Sequence, residues 1–535
     1  MPLYNLVKKV ISIYTGHTPN ITFKIGDDIK IMELDKFFSD KYLTLGWHLE
    51  EDLKEVIGAC LDFAKSSWGI ENDFDVLLLN EGGNPDDSCL KDVVQAKEVH
   101  RFGHHISHAG GAFYQSPFKE ALIVSSDGWG VDGNFSIYHA NKKTGDFKLI
   151  GGYPLNLGLN YMYSGYPLSE VENLKDGSSD DLSIPEKVMS LSIRGNIRGN
   201  WLKPIVDFYR SENKDFEKLS EALGLDISVD ALSSTEAYDF AATSQRAFEY
   251  LFFDATQKHF EKHSSLPICL SGGCALNNLL NEKLREKFGD KLFVPPNPNN
   301  GGISLGQLFL YERSKKSFDM TFSGMPLLGE DNLLKVVGEK KAKKASVKRL
   351  AKLLANRKSL GIVQGDCEIG VKGLGRRSVL FDASKLGSNT FLNTDINFQE
   401  FYIPCPCIIR ADDLEKFFHV KSSNYKNFRF GSFSPVLKEE FCEDLRAIIC
   451  FGNAAFVQVV YPDDNTILYD LLTEFAKLSK YPILINVSFT AGQGVLVSRL
   501  SSALEFLDNS RLDAVYSGGY LFESAKKDVW LWSRE

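Results

Sequence analysis

Ala121-Leu122-Ile123-Val124-Ser125-Ser126-Asp127-Gly128-Trp129-Gly130 is an apolar run that ends in a carboxylate and a glycine turn. A strand that runs into glycine leaves backbone N–H groups open to an anion, because no Cβ stands in the way. The same figure recurs at Pro267-Ile268-Cys269-Leu270-Ser271-Gly272-Gly273, after a helical stretch over about 236–263. Near the start, Val10-Ile11-Ser12-Ile13-Tyr14 reads as a strand that ends beside Gly16. Ile21–Ile25 and Ile29–Ile31 alternate around Gly26-Asp27-Asp28 and read as a hairpin. Leu53, Val56, Ile57, Cys60, Leu61 and Ala64 fall at helical spacing, and Asp75–Asn80 reads as a buried strand. Helices that alternate with strands ending in glycine turns predict an α/β domain with its sites at the strand ends.

Just upstream, His104-His105-Ile106-Ser107-His108-Ala109 sets His104 and His108 four residues apart, on one face of a helix. Two imidazoles and the Asp127 carboxylate form a candidate site for a divalent transition metal. The competing reading of the same residues is a helix cap with a surface histidine cluster.

A chain of 535 residues exceeds one ordinary core and predicts two or three domains. With 43% hydrophobic and 24% charged residues it has the composition of a soluble globular protein. No run approaches a membrane-spanning length, and the first ten residues lack the apolar core of a signal peptide, so a cytoplasmic protein is expected. Nine scattered cysteines, with no pair of CxxC motifs, read as reduced thiols, and Cys405-Pro406-Cys407 as buried strand residues. The net charge of −9 argues against a broad nucleic-acid surface. A basic stretch between Lys340 and Lys358 carries no acid, while Leu350, Leu353 and Leu354 give it an apolar face. It reads as a surface helix with a solvated basic side. Ser323–Gly329 and the change of composition after it place a linker at about 326–345 between domains over 1–325 and 346–535. The second domain is again α/β, with strands expected at Leu360–Val363, Ala447–Ile449, Phe456–Val460 and Ile483–Asn486.

Three glycine turns in order, at Gly16, Gly128-Trp129-Gly130 and Gly272-Gly273, resemble the nucleotide cleft of the actin-like ATPase superfold. Finer motifs narrow the likeness. His104-His105-x-x-His108-Ala109, Ala112-Phe113, Ser116-Pro117-Phe118, Asp127-Gly128-x-Gly130, Glu186-Lys187-Val188-Met189, Gly272-Gly273-x-Ala275-Leu276-Asn277 and Gly302-x-x-Leu305-Gly306 follow one another. After them come Glu368-x-Gly370, Gly373-Leu374-Gly375-x-Arg377-Ser378 and Asn486-x-Ser488-Phe489. Together they resemble the nodulation and antibiotic O-carbamoyltransferases.

That resemblance implies an actin-like N-terminal domain and a C-terminal domain similar to threonylcarbamoyl-adenylate synthases. The latter would make carbamoyl-adenylate from carbamoyl phosphate and ATP, and the former would pass the carbamoyl group to an acceptor hydroxyl. It also implies a divalent metal, Fe2+ in the family, held by His104, His108, Asp127 and Asn300. His17 would take the acceptor proton, and Lys372 and Arg377 would serve the anion chemistry. Gly128, Gly130, Lys187, Gly272, Gly273, Asn277, Arg376, Ser378, Asn486 and Ser488 would contact nucleotide or phosphate. Lys187 also reads as an ordinary surface lysine, and Asn277 as a helix cap. The acceptor would be a sugar or secondary metabolite, or a hydroxymethylated pyrimidine such as 5-hydroxymethylcytosine in DNA. A homodimer is also open.

The chain departs from the family pattern in places. Asn300 stands where the family has an aspartate, which removes a charge from the metal site and predicts weaker or altered metal binding. Lys372 replaces an arginine, Arg376 is an added cation, and a run of three family cations is absent around Asn397–Pro404. A lysine lacks the bidentate fork of an arginine, so the second domain either keeps a modified anion site or serves as a scaffold. An actin-like kinase or ATPase, and a non-catalytic nucleotide-binding relative, are the competing function classes.

Overall fold

The computed structural model describes residues 8–41, 43–45, 50–82, 89–128, 130, 132–171, 182–420, 426–464 and 466–525. Trp129, part of the second glycine turn, lies outside them. β1 (Lys9–Tyr14), β2 (Asn20–Ile25) and β3 (Asp28–Glu33) form an antiparallel meander. Its second turn is closed by Gly26 at φ 63°, a conformation that costs glycine little. β4 (Phe74–Asn80) and β5 (Ala96–Phe102) then add in parallel to β1, giving the order β3-β2-β1-β4-β5.

The same plan repeats. β6 (Glu120–Ser126), β7 (Phe135–Asn141) and β8 (Asp146–Tyr153) form a meander, and β9 (Ile268–Ser271) and β10 (Leu292–Phe293) add in parallel to β6. The order is β10-β9-β6-β7-β8. Two copies of a three-antiparallel, two-parallel sheet in one compact unit, over 1–35 and 42–324, are the actin-like α/β architecture. The long helix lies at Ser234–Lys262 and the N-terminal amphipathic helix at Glu50–Trp68, both where the apolar spacing placed them.

The helix His104–Gln115 packs against the helix Ile303–Glu312 through glycines. A Cβ on Gly306 would overlap the Ser107 carbonyl, and one on Gly110 would lie 2.7 Å from Leu310 Cγ. Bare backbones let the two helices approach closely, which brings the turn ahead of Ile303 to the histidines. The strands hold the second helix from the other side. Ser12 Oγ donates to Gln307 Oε1 at 2.7 Å, and the Thr22 and Ser304 hydroxyls are 2.7 Å apart, all four residues buried.

The second unit comprises 36–41 and 325–535. Its sheet contains β11 (Lys343–Lys344), β12 (Leu360–Val363), β13 (Arg377–Asp382), β14 (Cys407–Arg410), β15 (Val457–Val460), β16 (Leu484–Ser488), β17 (Ala514–Ser517) and β18 (Tyr520–Glu523). The strands lie in the order β11-β18-β17-β12-β13-β16-β14-β15. Leu350 and Leu354 of the helix Val347–Ala355 pack with Leu468, Leu471, Leu472 and Phe475 against Leu360, Leu380 and Leu484 of the sheet.

Three expectations change here. The stretch at 326–345 is not an open connection, since it carries the helix Leu333–Glu339 and contributes β11 to the sheet edge. The basic helix is correspondingly shorter and begins at Val347, capped by the Ser346 side chain. Ala447–Ile449 is not a strand; Arg446–Ile448 form a 3-10 turn, because a short apolar run does not by itself specify extended backbone. Among the described residues no helix is long and apolar enough to cross a membrane. All nine cysteines are free thiols, with Cys405 and Cys407 buried.

Candidate functional site

His104, His108, Asp127 and Asn300 meet at one point. His104 and His108 lie on consecutive turns of their helix, Asp127 directly follows β6, and Asn300 opens the 3-10 turn Asn300–Gly302. His108 Nε2 is 2.7 Å from Asp127 Oδ2, 3.2 Å from His104 Nε2 and 3.1 Å from Asn300 Oδ1. His104 Nε2 is 3.4 Å from the same Asp127 oxygen. Ligand atoms of the two histidines and Asp127 all lie within 4.8 Å of one another. Two imidazole nitrogens that face each other as lone pairs repel unless a proton or a cation sits between them. Burial pushes the His108 imidazole down, toward the neutral form that can ligate a metal. Burial alone would push the Asp127 carboxyl up, but the hydrogen bonds from His104 and His108 outweigh it and hold Asp127 well below the usual carboxylate range. Two imidazoles, a carboxylate and an amide oxygen are a donor set that fits a first-row divalent cation.

The surroundings keep this cluster in place. Asp132 accepts hydrogen bonds from the His105 and Ile106 N–H groups, satisfying the start of the histidine helix. His105 turns away from the ligands, its Nδ1 2.8 Å from Ser125 Oγ, and burial followed by its histidine neighbours pushes it down to about 4. Gly130 must lack a side chain, since a Cβ would stand 2.7 Å from His105 Cδ2 and 3.0 Å from His104 Cδ2. Gly272, at φ 82°, lies against the Ser126 backbone, and a Cβ on Gly273 would reach within 2.9 Å of Asp127 Oδ1. Gly128 N–H donates to Asp127 Oδ1 at 2.7 Å. These four glycines therefore shape the setting of the carboxylate and the histidines.

The other expected residues of this unit fall in different surroundings. Lys187 is buried on the helix Ile184–Ser192 and is not a surface lysine. Asn277 caps the helix Asn278–Phe288 by accepting from Leu280 N–H, and exchanges two hydrogen bonds with Gln245 at 2.9 and 3.1 Å. His17 lies in the turn after β1, its Nδ1 2.7 Å from the Thr44 hydroxyl.

In the second unit the glycine loop 370–376 is organised from beneath by Glu368, which is fully buried. Its Oε1 accepts from the N–H groups of Leu374, Arg376 and Arg377. Lys36 Nζ donates to the carbonyls of Glu368 and Gly370 at 2.9 and 2.7 Å. Asn486 Nδ2 donates to Gly373 O, and Ser488 Oγ accepts from Gly373 N–H, both at 2.9 Å. Arg377 differs from the exposed anion clamp expected of it: it is fully buried, and its guanidinium donates to the carbonyls of Val497, Gln364, Arg376 and Gly365, so four of its five N–H groups brace the surrounding backbone. Ser378 is buried in β13 beside it. Lys372 and Arg376 are only partly buried; Lys372 Nζ donates to Gly431 O at 2.6 Å and Arg376 Nη1 to Asp366 O at 3.0 Å. Sequence reasoning missed Lys36, Tyr14, Asp132 and the role of Glu368. Of these only Glu368 sits inside a motif that could have flagged it.

Residues 61–308 match the Carbamoyltransferase N-terminus and residues 351–524 the Carbamoyltransferase C-terminus. The chain belongs to the carbamoyltransferase enzyme family. The nodulation protein NolNO of Sinorhizobium fredii is 26% identical to this carbamoyltransferase over 471 residues, covering 82% of the chain and 66%, just under two thirds, of that relative. The nodulation protein NolO of Bradyrhizobium diazoefficiens is 25% identical over 460 residues, covering 80% of each. Among solved structures, full-length HypF in a phosphate- and nucleotide-bound form is 15% identical, with a TM-score of 0.35 over 58% of this chain and 56% of HypF.

Proposed function

We propose that this carbamoyltransferase is an ATP-dependent O-carbamoyltransferase. The observation that carries the reading is the convergence of His104, His108, Asp127 and Asn300 within a chain that matches both carbamoyltransferase halves. In the second unit carbamoyl phosphate loses its phosphate to water, and a carbamate oxygen attacks the α-phosphorus of ATP. A new P–O bond forms, pyrophosphate leaves, and carbamoyl-adenylate results. Lys372, Arg376 and the loop held by Glu368 bind the anions, while Asn486 and Ser488 fix the loop at Gly373. In the first unit an acceptor hydroxyl oxygen attacks the carbamoyl carbon and AMP departs, with the hydroxyl proton passing to His17. The glycine turns at Gly128 and Gly272 receive phosphate oxygens, with Lys187 and Asn277 near the nucleotide. A divalent cation, Fe2+ by family likeness, would be held by His104, His108, Asp127 and Asn300 and would supply Lewis acidity toward an oxygen of the donor. The acceptor carries a hydroxyl or hydroxymethyl group, on a sugar, a secondary metabolite or a hydroxymethylated pyrimidine.

The test incubates the full chain with carbamoyl phosphate, ATP, a divalent cation and a panel of sugars, aminoglycosides, nucleotides and hydroxymethylcytosine DNA. Pyrophosphate release and the gain of one carbamoyl group are followed together. Transfer to a hydroxyl acceptor is the expected result. No pyrophosphate at any substrate concentration would overturn adenylate formation and leave the second unit a scaffold.

A further inference from the structure

We propose that Tyr14 is a positioning residue that selects the oxygen of Asn300 for the cation. This rests on the metal reading of the site given above. An asparagine amide offers an oxygen on one side and an NH2 group on the other, and only the oxygen can ligate a cation. Asn300 Oδ1 faces His108 Nε2 at 3.1 Å, while its Nδ2 donates to the Tyr14 hydroxyl at 3.1 Å. Tyr14 ends β1 and is buried, its ring 6.0 Å from that of His104. Gly16, two residues on, leaves room for the hydroxyl, since a Cβ there would overlap it. The backbone is pinned as well. Asn20 Nδ2 donates to the Asn300 carbonyl at 2.8 Å, and Asn20 Oδ1 accepts from Ser304 N–H at 3.0 Å. With the backbone fixed, the remaining freedom is a half-turn of the amide.

A cation bound by the Nε2 lone pair of His108 leaves no donor at that nitrogen to hold Asn300 Oδ1. The hydrogen bond from Nδ2 to Tyr14 is then what keeps the oxygen turned inward. A neutral fourth ligand depends on such a partner in a way a carboxylate does not, because both carboxylate oxygens can ligate.

The experiment titrates Co2+ into the full chain, reading affinity by calorimetry and ligand geometry by the visible absorption of bound Co2+. It compares the unmodified protein, Tyr14→Phe, Asn300→Asp and the double variant. Partners that orient metal ligands typically contribute ten- to a hundredfold in affinity, so Tyr14→Phe should weaken binding at least about tenfold and change the Co2+ spectrum. In the Asn300→Asp background the same Tyr14→Phe change should cost less than about threefold, well below that range. Equal losses in both backgrounds, or no loss in either, would overturn the assignment. Absence of Co2+ binding to the unmodified chain would instead refute the metal reading itself. Far-ultraviolet circular dichroism and the melting temperature of each variant separate a loss of ligand orientation from a loss of fold.

Discussion

Arg377→Met tests whether this arginine is part of the chemistry or part of the frame. Its guanidinium uses four of its five N–H groups, at 2.9 Å to Val497 O, 2.7 Å to Gln364 O, 2.9 Å to Arg376 O and 2.8 Å to Gly365 O. Methionine fills much of the space but leaves one buried and three part-buried carbonyls without those partners. At about 1 kcal/mol for each lost bond, the change costs about 4 kcal/mol. That is a large share of the roughly 5–15 kcal/mol that holds a domain together. Arg377→Lys should fall between, since an ammonium keeps the charge but cannot reach carbonyls arranged around a planar fork. Hydrogen exchange on the full chain is the assay. Peptides over 360–382 should lose protection in the order unmodified, Lys, Met, while peptides over 120–126 keep theirs. If Arg377→Met retains full protection at 360–382 and loses only carbamoyl phosphate binding, the bracing role is wrong and the arginine belongs to the anion site.

Gly306→Ala drives a Cβ into the Ser107 carbonyl, backbone against backbone, and should cost about 1–3 kcal/mol while weakening divalent-cation binding as the histidine helix shifts; Gly338→Ala, with open space around it, should leave the melting temperature level or slightly raised. Glu368→Gln removes the charge that three loop N–H groups share, and should lower exchange protection over 370–377 by about 1–2 kcal/mol with little change elsewhere. Burial pushes Lys142 down to about 8. The unfolded chain therefore binds more protons than the native one between pH 8 and the ordinary lysine value of about 10.4, and stability should rise with pH across that window. Lys142→Met should flatten the rise, by on the order of 2 kcal/mol between its ends, in urea unfolding measured at several pH values.

The parts of the fold that the sequence announces are local. The hairpin around Gly26, the helix spacing of His104 and His108, and the apolar run into Asp127 are each written within a dozen residues, where periodicity and glycine chemistry act directly. The metal candidates were legible because three of the four belong to such segments. What stayed hidden depends on partners far apart in sequence. Tyr14 meets Asn300 across 286 positions, and Lys36 supports Glu368 across 332. The capping role of Asn277 is legible in the sequence, whereas its pairing with Gln245, 32 residues away, leaves no local trace. At Ala447–Ile449 the pattern was compatible with both a strand and a turn, and packing chose the turn.

The same distinction bears on how the second unit should be judged. Of the residues there that keep the family pattern, Glu368, Asn486 and Ser488 turn polar atoms toward the loop's own backbone, and Arg377 spans from the loop at Arg376 O to the carbonyls of Gln364, Gly365 and Val497. Those that depart from it, Lys372 and Arg376, are the partly exposed cations of the loop. Retained motif letters therefore speak for the loop's shape, and say little about whether an anion is processed there. A point-charge lysine and an added arginine on an intact loop can still hold a phosphate, with less geometric discrimination than two arginine forks. Loss of adenylate formation should thus follow Lys372→Met and Arg376→Met with the fold preserved, and should follow Arg377→Met only through the collapse of the loop that carries them.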